Sequence, residues 1–345
     1  MILAGDVGGT KIHLALYRFE NGKLRCIRGH KYPAKEFDSL EAVVKKFLAE
    51  DSDPNAKDQI AAACFGCPGP VRGGRLKLTN LPWTLDAYEL SKALDIEHLF
   101  LVNDLEANAY GIPELAPDKI LTLHPADAAS VGHRALVSAG TGLGEAMLIW
   151  DGHKHRPIPS EGGHCDFAPR TDREIGLLQY LQRKFKGHVS YERVVSGPAI
   201  QNIYAYLRDV EKMEEPRWLR DRMAAEDANA VISSSAEEGS SSLCFETMRT
   251  FSSAYGAEAG NLALKMLAMG GVYLGGGIPP KILKTLENGF FIEAFLDKGR
   301  LSPLLQSIPV RIILDENCAL LGAAAFAEAR ASEISGHSER AASVQ

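Results

Sequence analysis

Two glycine-rich turns, each leaving an apolar segment and returning into another, carry the residues best suited to chemistry in this sequence. The first is Gly5-Asp6-Val7-Gly8-Gly9-Thr10-Lys11, between the apolar stretches 2–4 and 12–17. The second is Ala139-Gly140-Thr141-Gly142-Leu143-Gly144, between 135–138 and 145–150. A strand, a tight glycine turn and a returning strand gather several backbone N–H groups and one hydroxyl at a point, which suits a polyanionic phosphate tail. One such turn alone reads as an ordinary hairpin; the repetition carries the inference. Neither fits the lysine-containing phosphate loop G-x-x-x-x-G-K-[ST], and neither is G-x-G-x-x-G opening a helix.

Carboxylates and one imidazole accompany the turns. Asn103-Asp104 follows the apolar stretch 99–102, so both side chains are delivered at a strand end, where the plain alternative is a turn or helix cap. In Ser160-Glu161-Gly162-Gly163-His164-Cys165-Asp166 two glycines hold an acid and a histidine three residues apart. Such a pair can accept from and donate to neighbouring hydroxyls of one ring; metal binding by His164 with Cys165 and Asp166, or a buried structural histidine, competes. Glu192 lies where Ser190 can cap a helix, and favouring the helix dipole is its alternative role. Transfer of a phosphoryl group to a hydroxyl needs a carboxylate to accept the proton, groups that fix the acceptor, and magnesium to neutralise phosphates. Candidates for all three are present. A third run, Gly275-Gly276-Gly277, lets backbone approach a flat ligand such as adenine, or is a strand-to-helix turn.

Composition narrows the class. A chain of 345 residues, 46% hydrophobic, suits two domains sharing a cleft. A net charge of −6 without a Lys/Arg run argues against nucleic acid or an anionic membrane as partner and for a small molecule. The N-terminus has an acid at position 6 where a secretory signal needs a basic then apolar segment, and no stretch nears the ~20 apolar residues of a membrane span. A soluble cytoplasmic protein is expected. The cysteines at 26, 64, 67, 165, 244 and 318 form no disulfide framework; Cys64-Phe65-Gly66-Cys67 is read as the end of a buried strand over a redox or metal pair.

The elements that must position these residues alternate. Three strands precede a helix capped by Ser39, with Leu40, Val43, Val44, Phe47 and Leu48 on its apolar face. A strand over 60–65, a helix over 85–94 and a strand over 99–102 follow, the last feeding a helix from 105. Proline-containing 111–117 is the expected first crossing between domains. Beyond it come the second hairpin, a helix over 172–185, a helical segment over 191–195 ended by Gly197-Pro198, a flexible serine-rich loop over 233–242, strands over 270–274 and 310–314, a helix over 319–329 rich in small residues, and a loose tail after Ser332. The fold class is α/β, with a small domain over 1–113 completed by 314–331, a large domain over 114–313, and a tail over 332–345.

Duplicated hairpins gripping ATP from two lobes are the arrangement of actin, sugar kinases and Hsp70. With Asn103-Asp104, Glu161-Gly-Gly-His164 and Glu192 added, almost the whole chain resembles bacterial glucokinases of the hexokinase-like, actin-fold (ribonuclease H-like) class. The resemblance implies two lobes with a deep cleft, ATP and magnesium as cofactors, transfer to the 6-hydroxyl of glucose, and a homodimer. It implies Asp104 as catalytic base, and Asn103, Asp104, Glu161, His164 and Glu192 as sugar contacts, supported by Asn80 in Thr79-Asn80-Leu81-Pro82-Trp83. Asp6, Gly8, Gly9, Thr10, Lys11, Gly140, Thr141, Gly142, Gly144, Gly275, Gly276 and Gly277 correspond to nucleotide-binding positions, Asp6 holding magnesium through water. Two departures matter. The cysteine-rich zinc motif of the related repressor and kinase group is missing after His164, so no zinc is expected, and Lys11 stands where several members have asparagine. A kinase for another hexose or an N-acetylhexosamine is the first rival. A sugar-sensing regulator would need a DNA-binding domain ahead of Asp6, and an actin- or Hsp70-like ATPase has no use for the Asn103-Asp104 and Glu161–His164 sets.

Overall fold

The computed structural model describes residues 1–50, 59–78, 80–126 and 131–342. Its contacts divide the chain into two compact units, Met1–Pro117 with Asp315–Gln345, and Asp118–Leu314.

The first unit is built on strands β1 (Ile2–Val7), β2 (Lys11–Glu20), β3 (Lys23–Pro33), β4 (Ala62–Cys67), β5 (Arg75–Lys77), β6 (Thr84–Asp86) and β7 (His98–Asn103), with helices α1 (Leu40–Ala49), α2 (Ala87–Leu94) and α3 (Asp104–Gly111). Five strands form one sheet in the order β3-β2-β1-β4-β7, while β5 and β6 pair separately. The first three run antiparallel, and β1, β4 and β7 run parallel. Alternation along the strands decides which helices cover each face. Leu3, Val7 and Phe65 point toward Leu40, Val44 and Phe47 of α1 and Leu94 of α2. Ala4, Ala62 and Cys64 face the other way, toward Ala107 of α3 and Ala319, Ala323 and Ala327 of the C-terminal helix Cys318–Ala342. Small residues let these two helices touch backbone to backbone: a Cβ on Gly322 would strike the Ala107 carbonyl, and one on Gly111 the Cys318 carbonyl.

The second unit contains β8 (Ile120–His124), β9 (Arg134–Ala139), β10 (Leu143–Trp150), β11 (His155–Ser160), α4 (Asp172–Phe185), α5 (Gly197–Asp209), α6 (Arg217–Ala225), α7 (Ala228–Glu237), α8 (Ser242–Met266), β12 (Gly271–Gly275), α9 (Leu283–Glu287), α10 (Phe290–Leu296), α11 (Ser302–Gln306) and β13 (Val310–Ile313). Its sheet runs β11-β10-β9-β12-β13-β8. Helix α8 is the axis of the core, with Phe251, Tyr255, Ala259 and Leu262 buried among Val137, Leu274, Phe291 and Phe295.

Several sequence expectations are corrected. The serine-rich 233–242 segment is mostly helical. Ser233 and Ser234 fold their hydroxyls onto the carbonyls of Ala230 and Val231, Ser235 is fully buried, and Ser241 caps α8 by accepting from Cys244 N; only a short turn with Gly239 at φ +68° separates the helices. Polar composition misled here because hydroxyls can be satisfied by their own helix. Gly197-Pro198 opens α5 and ends nothing, since proline's missing N–H costs nothing in a first turn. The 191–195 segment is a single 3-10 turn, Tyr191–Arg193, and Ser190 makes no side-chain cap there. The helix expected over 85–94 yields its first residues to β6, because Asp86 caps α2 by accepting from Tyr88 N and Glu89 N. The strand expected over 60–65 lies at Ala62–Cys67. The C-terminal helix continues to Ala342, past the point where a loose tail was expected.

Candidate active site

In the first unit the parallel strands β1, β4 and β7 end together. Their register sets Asp6 beside Gly66 and Cys67 beside Asn103, and Asp104 follows as the first residue of α3. The Asp6 and Asp104 carboxylates both lie near enough to Cys67 to add to burial in pushing its thiol up. Two acids therefore share one end of the sheet, the end at which α/β proteins present their ligand-binding groups. Gly66 permits this, because a Cβ there would press on Ala107 of α3 at 3.0 Å. Burial also raises the Asp6 carboxyl, opposed by the ammonium of Lys31, which is itself paired with Glu316 at 2.9 Å.

The turn after Asp6 is closed by Gly8 N donating to Lys11 O at 2.9 Å. Thr10 and Lys11 are exposed at its tip. Asn80 packs onto this turn: a Cβ on Gly9 would lie 2.7 Å from Asn80 Cβ. Thr79 falls outside the described residues. Asn103 is largely occupied within the chain. Its Oδ1 accepts from Leu105 N and Glu106 N at 2.9 and 3.3 Å, and its Nδ2 donates to Gly69 O at 3.1 Å. The helix-cap reading of Asn103 thus holds, with one amide hydrogen left over among the described residues. Asp104 Oδ1 accepts from Leu105 N at 2.9 Å, which fixes that carboxylate at a helix N-terminus.

In the second unit the turn at 140–142, the Glu161–His164 loop, Glu192 and the triple glycine converge on the end of β9 and β10. Gly140 N donates to Gly142 O at 2.9 Å, and Leu143 N donates to Glu192 Oε2 at 3.2 Å. Glu192 fills the space beside Gly142, where a Cβ would lie 2.5 Å from Oε2. Gly162 and Gly163 lay their loop flat on β10, since a Cβ on Gly163 would strike the Leu143 carbonyl and one on Gly162 the Glu145 carboxyl. A 3-10 turn, Gly162–His164, then returns the chain so that Glu161 and His164 are both exposed beside it. Gly144 sits in β10 opposite Ser138. Gly275 pairs with Ser138 across β12 and β9, and Gly276 takes φ +84° with its Cα against the Ala139 carbonyl. Gly277 has open space where a side chain would stand. Its N lies 4.0 Å from the position of a Cβ on Gly140, and Gly197 N donates to Gly140 O at 2.8 Å. Thr141 is exposed at the tip.

Sequence reasoning missed two groups. The start of α5 at Ser196-Gly197 joins the glycine turns, although Ser-Gly-Pro was readable as a helix start. Glu145, a lone acid in an apolar strand, is 1% exposed. Among the described residues no set of three or more His, Cys, Asp or Glu side chains is placed to hold a metal ion, and all six cysteines are free.

Two glycine hairpins, each on the inner strand of a sheet with the same antiparallel-then-parallel order, define the class of actin-like α/β sugar kinases. Residues 3–330 match the family model described as Glucokinase. A glucokinase of Nostoc sp. is 43% identical over 337 residues, covering 94% of this chain and 98% of the relative. The chain belongs to the glucokinase family. The crystal structure of a glucokinase from an Antarctic psychrotroph superposes with TM-score 0.82 at 31% identity, covering 95% of this chain and 98% of that one. A ROK family glucokinase from Streptomyces griseus, solved with glucose and AMPPNP, shares the fold at TM-score 0.62 and 19% identity, covering 95% and 99% of the two chains.

Proposed function

We propose that this protein transfers the γ-phosphoryl group of ATP to the 6-hydroxyl of glucose, with Asp104 accepting the hydroxyl proton. Family membership over nearly the full length supports the reaction. The observation that carries the base assignment is Asp104 at the C-terminal end of β7, sharing that sheet end with Asp6. Asn103, with its remaining amide hydrogen, Glu161, His164 and Glu192 are assigned to the hexose hydroxyls, and Asn80 to support of the first turn. The turns Gly8–Lys11 and Gly140–Gly144 are assigned to the phosphates, through the backbone N–H groups of Gly9, Thr10, Thr141 and Gly142, the Thr10 and Thr141 hydroxyls and Lys11, and Gly275–Gly277 to the adenosine, where the open space at Gly277 favours close backbone approach.

Magnesium suits Asp6 on donor chemistry. The ion takes one or two carboxylates together with phosphates and water, and needs no all-protein cage. It would supply neutralisation of the phosphate charge. Asp104 takes up the proton as the hydroxyl attacks, and its bond from Leu105 N keeps the carboxylate aimed.

A coupled assay with magnesium-ATP and a panel of hexoses, reading sugar-dependent ADP release, tests the proposal. Turnover confined to glucose is expected. Preference for another hexose keeps the mechanism and moves the substrate, and no turnover with any hexose overturns the reading. The family resemblance also supports a cytoplasmic homodimer, which sedimentation velocity tests; no helix among the described residues is long and apolar enough to cross a membrane.

A further inference from the structure

Beneath the loop that carries Glu161 and His164, two acids are buried against each other. Glu145 of β10 and Glu258 of α8 are 1% and 0% exposed. Their carboxyls are within hydrogen-bonding reach, yet Oε1 of each has no hydrogen-bond donor among the described residues. Two carboxylates are both acceptors, so a bond between them exists only while one keeps its proton. Burial first, and the Glu258 carboxylate second, push Glu145 up to about 8, with Lys265 pulling it down.

The charged and titratable neighbours come from every element around the pair. From α8, Lys265 Nζ lies 3.7 Å from Glu258 Oε1, Asn261 Nδ2 donates to Glu258 Oε2 at 2.9 Å, and the Tyr255 hydroxyl donates to Val137 O of β9 at 3.0 Å. From the 191–193 turn, Tyr191 accepts from Asn261 Nδ2 at 3.1 Å and reaches Glu258. After α10, Lys298 Nζ donates to Asn261 Oδ1 at 2.8 Å and to Ala257 O at 3.0 Å. On the side of β11 stand Ser160 and the exposed Glu161 and His164.

The pair is joined to both elements assigned to the sugar. Glu145 Oε2 occupies the space beside Gly162. Ser160 Oγ donates to Glu145 O at 3.0 Å and accepts from Gly162 N at 3.2 Å, tying the loop to the same strand position. On the other side Glu258 meets Tyr191, whose chain neighbour is Glu192.

We propose that one proton shared by Glu145 and Glu258 positions the Glu161–His164 loop and Glu192, so that its loss weakens hexose binding and leaves nucleotide binding unchanged. The inference rests on the sugar-contact roles proposed above. Glu145 acts through Gly162, and Glu258 through Tyr191, as positioning residues. With the proton gone, two like charges face each other under the loop and the shortest relief is to push Gly162 outward.

Steady-state kinetics of the full chain between pH 6.5 and 9.5 test this, using wild type, Glu145→Gln and Glu145→Leu. In wild type the glucose KM rises above pH about 8, approaching roughly tenfold per pH unit, while the ATP KM stays flat. Glu145→Gln gives a flat glucose KM, because its carboxamide donates to Glu258 at every pH. Glu145→Leu, lacking a donor, gives a raised glucose KM throughout. Infrared spectroscopy adds a readout independent of sugar: a protonated-carboxyl band at neutral pH that Glu145→Gln removes. A flat wild-type glucose KM, a Glu145→Gln profile that still rises, or absence of that band overturns the inference while glucose turnover stands. No turnover with any hexose overturns both this inference and the functional reading.

Discussion

The five strands of the first unit's sheet each have a counterpart in the second unit's sheet, which adds β8 at its edge. In each, an inner strand, β1 or β9, pairs antiparallel with the next strand and parallel with a later one, and a three-residue turn joins the hairpin, Gly8-Gly9-Thr10 or Gly140-Thr141-Gly142. Registers match as well: Asp6 has Gly66 as its parallel neighbour, and Ser138 has Gly275. The residue types at matching places differ. At the next-to-last position of its inner strand the first unit has an acid, Asp6, and the second a hydroxyl, Ser138. Where β2 carries the fully buried Leu14 opposite Gly5, β10 carries Glu145 opposite Val137. The first unit therefore presents its carboxylates at the strand ends, and the second buries a pair one layer below its loops. Topology decides where a side chain is delivered, and residue type decides whether it reacts or supports.

The largest expected effect tests the first unit's role. Asp104→Asn lowers kcat by about 10²- to 10⁴-fold with glucose binding largely retained, read by steady-state kinetics and calorimetric titration; near-normal turnover removes Asp104 from the base role. The second unit should respond in binding. Glu161→Gln loses a charged acceptor worth about 1.5–3 kcal/mol and raises the glucose KM roughly 10- to 100-fold, with a smaller change in kcat. An equal fall in kcat would erase the proposed division between the units.

A smaller effect separates scaffold from site within one turn. Gly276→Ala forces a Cβ into the Ala139 carbonyl at a positive φ and costs about 1–3 kcal/mol in urea unfolding. Gly277→Ala meets open space, so it leaves the unfolding midpoint in place and raises the ATP KM. If both only destabilise, the glycine run is structural. The smallest change expected is in stability at Asp6. Because burial raises its carboxyl, the folded state binds the proton more tightly than the unfolded chain; that contribution is present at low pH and lost as pH rises through the folded pKa. Asp6→Asn should raise Tm modestly at pH 8 and hardly at pH 4 while impairing turnover, measured by calorimetry at both pH values.

Much of this was legible in the residues. Apolar segments on either side of a glycine turn marked both hairpins, and Ser39 with Leu40, Val43, Val44 and Phe47 marked α1, because turn residues, caps and helical periodicity are local signals. Helix α4 was legible over its whole length, Asp172–Phe185. The serine-rich 233–242 segment was not, since its helicity depends on packing that buries Ser235 and on hydroxyls bonding to their own helix.

By itself, the sequence determined the α/β class and the two glycine turns and singled out Asp6, Asp104, Glu161, His164 and Glu192 as candidates, because turns and strand ends are read from residue type and short spacing. Only tertiary structure decided which of them meet. Asp6 and Asp104, 98 positions apart in the sequence, share a sheet end through the parallel register of β1, β4 and β7. Glu145 and Glu258 face each other because α8 packs on β9, the strand that pairs with β10, a long-range contact that no local pattern encodes.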